Sequence, residues 1–559
     1  MLKIENLLLN EYFPAELPRC FSTKQVFGKI DRIKGWTTSA TSAASNPLVY
    51  SGFKNEFARR KFAVPNFYHY YKAAECIAEN SEKILDITTK SKHSLTSPQR
   101  GNVDTSLPYN KKSYSRNQTR NYVENMYQDN MYQIRLDINN FFDSIYTHSI
   151  PWAIHTKQVA KRKQNDKSLL GNKLDMFIRA MNGNQTNGVL IGNALSRIIS
   201  EIILCTIDND IDKEYKDLQY IRFVDDYYIF VHEATLIQEI VAFIRKKLSE
   251  YELILNESKI QVLESPFTFD KPWIEELKLF SFNSEELLLN KAIILYNEYK
   301  DISILKFALK IISFNDITIT DWNRVESKLY NLWVRFPVLS DLIIELLMQK
   351  KEIIHKQKLK KAIYTNLDKC MLLNWQQELV WILWAIKVFE IRIKQDYVLE
   401  ILKSNNDLAI IIVLDCIDAG IIDCTASVTK QIDALRQELN DLDIDENGKN
   451  GNLMWSSRWL LAYECQLHKW INTENGSFYT VDNNAFYKSL LKSKVDFYDA
   501  GVLPDVNDNI SKRSKTQRIM DYIKCINAQE NDDKNETELL EIQKSARNYI
   551  FNVIYSDEY

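Results

Sequence analysis

Two groups of carboxylates carry the chemistry that this 559-residue sequence could perform. The first is Asp137, near the end of the alternating segment Met131-Tyr132-Gln133-Ile134-Arg135-Leu136-Asp137-Ile138. The second is the adjacent pair Asp225-Asp226, enclosed by Tyr220-Ile221-Arg222-Phe223-Val224 and Tyr227-Tyr228-Ile229-Phe230-Val231. Two neighbouring carboxylates in an apolar setting are costly unless something cationic compensates them. A pair of divalent metals does so, and two metals about 3.5–4 Å apart can activate an attacking oxygen and stabilise a leaving one. The plainer alternative for Asp225-Asp226 is a polar hairpin turn, where Asp is common. Asp137, a nearby glycine cluster and the order of the elements weigh against it.

The elements that must position these groups are legible from periodicity. Tyr132, Ile134, Leu136 and Ile138 share one face of a strand buried on one side, with Asp137 on the other face. Residues 220–231 read as a hairpin with the acidic pair at its turn. Between them, Gln185-Thr186-Asn187-Gly188-Val189-Leu190-Ile191-Gly192-Asn193-Ala194-Leu195-Ser196-Arg197 is a loop running into a helix. Its glycines let a backbone approach a base pair or phosphate closely. Ile237, Ile240, Ile244 and Leu248 mark a helix after the hairpin. Beyond it, Lys259 could protonate a departing pyrophosphate, although a lone Lys is usually surface.

The composition is that of an ordinary soluble globular protein: 45% apolar, 26% charged, with 71 Lys+Arg against 74 Asp+Glu and a formal charge of −3. Aromatic residues at 12%, including 29 Tyr, argue against disorder. At roughly 100–200 residues per domain, the length predicts more than one domain. No apolar run approaches the ~20 residues of a membrane span. The first residues carry Glu5 and no continuous apolar stretch, which argues against a signal peptide. Eight Cys are scattered without a C-x-x-C pair, and His occurs seven times, so neither zinc nor a disulfide framework is indicated. The chain reads as cytoplasmic and reduced.

Glycine divides the chain. Only 13 occur; four of them (Gly171, Gly183, Gly188, Gly192) are clustered, and none lies between Asn193 and Ala419. After Pro272 only Pro337 and Pro504 remain. A long stretch without breakers favours helices joined by short polar turns. Residues 1–285 hold 37 basic and 34 acidic residues, against 34 and 40 in residues 286–559. Within residues 101–200 the count is 13 to 7, a modest pointer to a phosphate-lined partner. The pattern breaks after Phe280-Ser281-Phe282, which predicts one domain over 1–285 and an all-α domain over 286–559, built of stacked helix pairs of the solenoid sort. The acidic run from Asp441 to Gly448 superficially resembles a calcium loop. Glu446 at its sixth position and Asn452 at its twelfth exclude that reading.

Taken in order, these motifs resemble the reverse transcriptases. Asp137 with Phe142 five residues on matches their first palm motif, Gly188 to Ser196 the glycine-rich second, Phe223-Val224-Asp225-Asp226 the third, and Asn256 to Lys259 the fourth. Upstream, Arg60-Lys61-Phe62-Ala63-Val64-Pro65 is similar to their fingers motif. The segment Ser144–His155, together with Ala58-Arg59-Arg60, Val64-Pro65-Asn66 and Leu195–Glu201, resembles bacterial abortive-infection, defence-associated reverse transcriptases of the AbiK type. The resemblance covers roughly residues 45–270. It implies an α+β fold, the fingers and palm of a right-hand polymerase, followed by an all-α helical-repeat (HEAT-like) domain.

The resemblance also implies function. Asp137 and Asp225, with Asp226 in support and the carbonyl of Ile138, would hold two Mg²⁺ (Mn²⁺ being the alternative ion), and Lys259 would serve as the acid. Arg60, with Arg59 as second candidate, would bind the triphosphate of a dNTP. Phe142 would exclude a 2′-hydroxyl, and Gly188 would face the nucleotide. Relatives of this type are phage-defence proteins that form homo-oligomers (trimer or hexamer) and make single-stranded DNA attached covalently to the protein, without a supplied template. A phage protein as trigger and a bacterial cytoplasmic location follow from the same likeness. Asn187 and Leu190 depart from the templated pattern where a template pair would be gripped. The competing expectations are a templated enzyme of retron or group II intron type copying a partner RNA, and a binding protein on a degenerate polymerase fold. Tyr109 and Tyr114, beside Lys111, Lys112 and Arg116, are weak candidates for the priming hydroxyl.

Overall fold

The computed structural model of the chain describes residues 1–30, 44–101, 107–111, 116–280, 284–313, 319–443, 452–471, 478–482 and 484–503. It divides into two compact units, and the division is not a single cut at residue 285. The first unit comprises Met1–Ser113, Asn125–Phe267 and Arg392–Gly501; the second comprises Tyr114–Glu124, Thr268–Ile391 and Val502–Tyr559.

The first unit contains both sheets. Strands β1 (Leu48–Phe53) and β2 (Arg59–Val64) form an antiparallel hairpin in the register Leu48↔Val64. The second sheet has four antiparallel strands, β3 (Tyr132–Leu136), β4 (Gln219–Phe223), β5 (Asp226–Val231) and β6 (Gln261–Glu264), in the order β4-β5-β3-β6. The alternation read over residues 131–138 thus becomes an inner strand, and the expected 220–231 hairpin is β4-β5. The glycine-rich loop enters the helix Ala194–Glu214, where Asn193 accepts a hydrogen bond from the Ser196 amide at 3.0 Å. A side-chain cap of this kind is worth about 1 kcal/mol. The helix Thr235–Glu250 buries Ile240, Val241, Ile244 and Leu248, one stripe at helical spacing.

Residues 392–501 join this unit because aromatic side chains far apart in sequence interlock. Tyr12 packs edge-on against Phe67 and Tyr70, and Phe67 meets Phe497 at 4.9 Å. Tyr68 packs against Trp455 and Phe486. Aromatic pairs contribute about 0.5–1.5 kcal/mol each beyond the area they bury. Asn66 binds this assembly together. Its Oδ1 accepts from the Tyr68 amide and the Tyr487 hydroxyl, and its Nδ2 donates to the Met454 carbonyl at 2.6 Å. Backbone pairing completes the return, with Ser22 N to Phe497 O at 3.0 Å and Asp499 N to Cys20 O at 2.8 Å.

The second unit is helical among its described residues. Helices Glu285–Tyr299, Ile319–Arg335 and Lys356–Leu373 have 15, 17 and 18 residues, and pack one on the next. The shorter helices Ser303–Ser313, Ser340–Gln349 and Gln376–Val388, of 11, 10 and 13 residues, form a second row in the same way. These six helices, from the later part of the glycine-free stretch, therefore form two alternating layers. Among the described residues no helix is long and apolar enough to cross a membrane.

Candidate active site

Asp137 follows β3 directly. The register Leu136↔Tyr227 between β3 and β5 makes Asp137 and Asp226 the next pair along the ladder. Asp225 occupies the two-residue turn between β4 and β5, closed by the pair Phe223↔Asp226. The three carboxylates act on one another. Burial, then the neighbouring Asp226, and more weakly Asp137, push the Asp225 carboxyl up to about 7, while Arg60 pulls the other way. Burial and Asp137 raise Asp226, which Lys259 opposes. Crowded, partly buried carboxylates with an all-oxygen donor set are what a hard divalent cation prefers, so these residues fit such an ion.

Asp137 is held by the segment after the Thr235–Glu250 helix. Asn256 donates to it twice, from its amide to the Asp137 carbonyl at 2.8 Å and from Nδ2 to Oδ2 at 2.9 Å. Lys259 Nζ donates to the same Oδ2 at 2.8 Å, and this hydrogen bond is the main reason its ammonium is held above the usual lysine range. Ile138 is bridged to Leu255, but the flanking bonds, Asn139 N to Ile254 O and Asn256 N to Asp137 O, leave its own carbonyl outside the pairing.

The turn that presents Asp225 is strained. Val224 has φ +53°, a left-handed conformation that a β-branched residue rarely takes. Such a residue costs roughly 1–3 kcal/mol and persists only where its surroundings over-determine it. Here the Val224 amide donates to Thr96 Oγ1 at 3.3 Å, and Arg222 Nη1 donates to the Val224 carbonyl at 2.8 Å. Arg222 is fully buried and also grips Asp208 (Nη2 to Oδ2, 2.7 Å) and Glu201 (Nη2 to Oε2, 3.0 Å) on the helix Ala194–Glu214. Ser91, Ser94 and Thr96 donate to the same two carboxylates. Sequence reasoning missed this network, although two signals were visible: an Arg inside the apolar strand, and two acids seven residues apart on an apolar helix.

The remaining expected residues are placed as follows. Arg60 is exposed on β2, near enough to influence Asp225, whereas Arg59 Nη2 donates to the Ser51 carbonyl across the hairpin at 3.1 Å. Phe141 is buried and Phe142 only half-buried, so the second ring is not a core residue. The Phe142 carbonyl accepts from Val189 at 2.9 Å, which seats the glycine-rich loop on the segment after Asp137. Gly188 lies in that seat with φ +84°, and a Cβ there would stand 3.2 Å from the Asp143 carbonyl oxygen. Its close approach is therefore to the protein's own backbone, a tighter constraint than the nucleic-acid approach expected. The neighbouring Ala63 N to Ile191 O bond, at 3.2 Å, ties β2 to the same loop. Tyr109 is buried, which raises its hydroxyl pKa and removes it from any exposed segment. Tyr114 and most of the acidic run from 441 to 448 lie outside the described residues.

An antiparallel sheet with carboxylates after its inner strand and at the adjoining hairpin turn defines a polymerase-type nucleotidyltransferase. Residues 80–270 match the family model for reverse transcriptase (RNA-dependent DNA polymerase), a span that holds Asp137, Phe142, Gly188, Asp225, Asp226 and Lys259 but begins after Arg59 and Arg60. The chain is thus an RNA-directed DNA polymerase-like enzyme with a reverse transcriptase domain and a helical region. No curated protein matches it. Among solved structures it is similar to apo telomerase from Candida tropicalis, at 12% identity over 68% of this chain and 75% of that chain, with a TM-score of 0.32. It is similar also to telomerase from Candida albicans in complex with a TWJ fragment of telomeric RNA, at 10% identity over 66% of each chain and a TM-score of 0.28.

Proposed function

We propose that the protein is an anti-phage DNA polymerase that adds deoxynucleotides to a hydroxyl of its own chain without a template. The observation that carries the polymerase part is the crowding of Asp137, Asp225 and Asp226, with Lys259 on Asp137. Asp137 and Asp225 would hold two Mg²⁺, with Asp226 and the Ile138 carbonyl in support. When bound, such ions lower the pKa of the attacking hydroxyl and take up charge on the leaving pyrophosphate. Arg60 orients the triphosphate, Phe142 closes the space of a 2′-hydroxyl, and Lys259 donates a proton to the departing oxygen. A primer hydroxyl must come within ~3–3.5 Å of the α-phosphate, and a tyrosine phenol ionises more readily than an alcohol.

The defence role, the homo-oligomer, the covalent DNA product, the bacterial cytoplasm and HEAT-like repeats in the helical region rest on the likeness of Ser144–His155, Ala58–Arg60, Val64–Asn66 and Leu195–Glu201 to the AbiK type. A second reading, templated copying of a partner RNA, is favoured by the family match over residues 80–270. Purified protein supplied with dNTPs, Mg²⁺ and defined RNA templates separates the two. Product that stays with the protein through denaturation, yields to DNase and ignores template sequence is expected. Product that copies the template and is released by SDS overturns the self-primed reading. Incorporation within tenfold of the unmodified enzyme in both Asp137→Asn and Asp225→Asn overturns the polymerase itself.

A further inference from the structure

Away from the carboxylates of the palm, Glu464, His468 and Asp496 converge inside the first unit, with one ligand atom from each lying within 4.8 Å of the others. Glu464 and His468 are four residues apart on the helix Trp459–His468 and therefore share a face. Asp496 comes from the segment after the helix Ala485–Lys492. His468 Nε2 stands 3.2 Å from Glu464 Oε2 and 3.5 Å from Asp496 Oδ1. Neither approach has hydrogen-bond geometry, so the imidazole nitrogen and the Glu464 oxygen, both buried, face each other without a hydrogen bond.

From this geometry we infer that Glu464, His468 and Asp496 are three ligands of a Zn²⁺ ion. Tetrahedral zinc with bonds of about 2.0–2.1 Å separates its ligand atoms by about 3.3–3.4 Å, and the two His468 distances lie within about 0.2 Å of that spacing. An imidazolium would aim its N–H at one oxygen; a ligating nitrogen aims its lone pair between them. The carboxylates are oriented by backbone amides, Phe497 N to Glu464 Oε1 at 3.0 Å and Tyr498 N to Asp496 Oδ1 at 3.0 Å. The His468 ring is clamped against Trp470, with centroids 4.4 Å apart and planes 12° apart. Outer contacts of this kind fix ligand orientation in metal sites.

The electrostatics favour a cation there. Glu464 is completely buried, so its carboxylate needs a cationic partner. Zinc would replace the proton on His468, releasing it to solvent, and would carry one more positive charge into a pocket holding two carboxylates. An imidazole ligand with so few oxygens suits Zn²⁺ and not Mg²⁺, which demands an octahedron of oxygens. The side chains of His468 and Asp496 stay 22% and 20% exposed, so the cluster lies close to the protein surface. The ion would fasten the helix Trp459–His468 to residues 496–499, the stretch that pairs with Cys20 and Ser22.

The test uses the full-length protein carrying Asp137→Asn and Asp225→Asn, so that the palm carboxylates do not compete. It is stripped with EDTA and titrated with Co²⁺, then with Zn²⁺. One Co²⁺ per chain with the intense visible bands of a tetrahedral site, displaced by Zn²⁺, is expected. Affinity should fall at least about tenfold in His468→Gln and in Asp496→Asn. Asp496→Asn lies at the open side, and its metal-free melting temperature reports whether it folds. Zn²⁺ should raise the melting temperature of the parent and leave that of Asp496→Asn unmoved. A parent protein that binds no stoichiometric Co²⁺, shows only a pale octahedral spectrum, or keeps its affinity in both variants overturns the site.

Discussion

Arg222 donates to the carbonyl of Val224, two residues along its own chain, and so braces from beneath the turn that holds Asp225. The same guanidinium is the cation for Glu201 and Asp208, all three being essentially without solvent contact. Removing one partner of such a buried set costs roughly 3–5 kcal/mol, because unpaired charges stay behind. Arg222→Met should therefore lower the melting temperature markedly. Arg222→Lys keeps the charge but has no planar fork to reach two carboxylates and a carbonyl together. It should fold and lose incorporation rate while Km for the nucleotide changes little. Wild-type rate in Arg222→Lys would show that the turn needs no brace.

Protons and cations compete for Asp225. With its pKa pushed up to about 7, incorporation at subsaturating Mg²⁺ should rise with pH through about 7 and level off above it. Stability without metal has the opposite sign. The folded value lies above the ordinary 3.8, so the folded chain holds this proton more tightly, and stability falls as pH rises between roughly 4 and 7. Melting curves at pH 5 and pH 8 should show a larger Mg²⁺ increment at pH 8. The difference should vanish in Asp225→Asn; an equal increment at both pH values in the unmodified protein contradicts it.

Lys259 sits on Asp137 Oδ2 but is itself well exposed. As proton donor to pyrophosphate its loss should cost about 10²–10⁴-fold in rate. Lys259→Met should show that loss with nucleotide affinity retained and folding unchanged. A drop confined to Km would instead make Lys259 a phosphate contact.

Phe142 is half-buried beside a fully packed Phe141. Phe142→Ala should narrow the preference for dATP over ATP, measured as the ratio of kcat/KM values, with only a small change in melting temperature. An unchanged ratio in an active variant would return the ring to a packing role.

The palm was legible because its determinants are local. Alternation marked β3, and an acidic pair between β-rich arms marked the β4-β5 hairpin. The division at 285 was not, since what draws residues 392–501 into the first unit is Phe67 against Phe497 and Tyr68 against Trp455 and Phe486, contacts spanning hundreds of residues. Periodicity reports which face of a helix is apolar and is silent on what that face meets. Spacing is equally silent on the cluster of Glu464, His468 and Asp496. Four residues apart, Glu464 and His468 are an ordinary helical pair until Asp496 is brought to them by the fold.

The antiparallel bridge between Phe21 and Tyr498 joins residues hundreds of positions apart in the chain. A ribosome adding about 5–20 residues per second needs roughly 20–90 s to travel from Phe67 to Phe497. Throughout that interval the aromatic faces of Tyr12, Phe67 and Tyr68 are without their later partners, a long exposure of apolar surface. A message cut short before codon 455 would yield β2 and Asn66 lacking Trp455, Tyr487 and Phe497 to pack against. Termination before that point therefore leaves the aromatic faces beside β2 without the side chains that cover them.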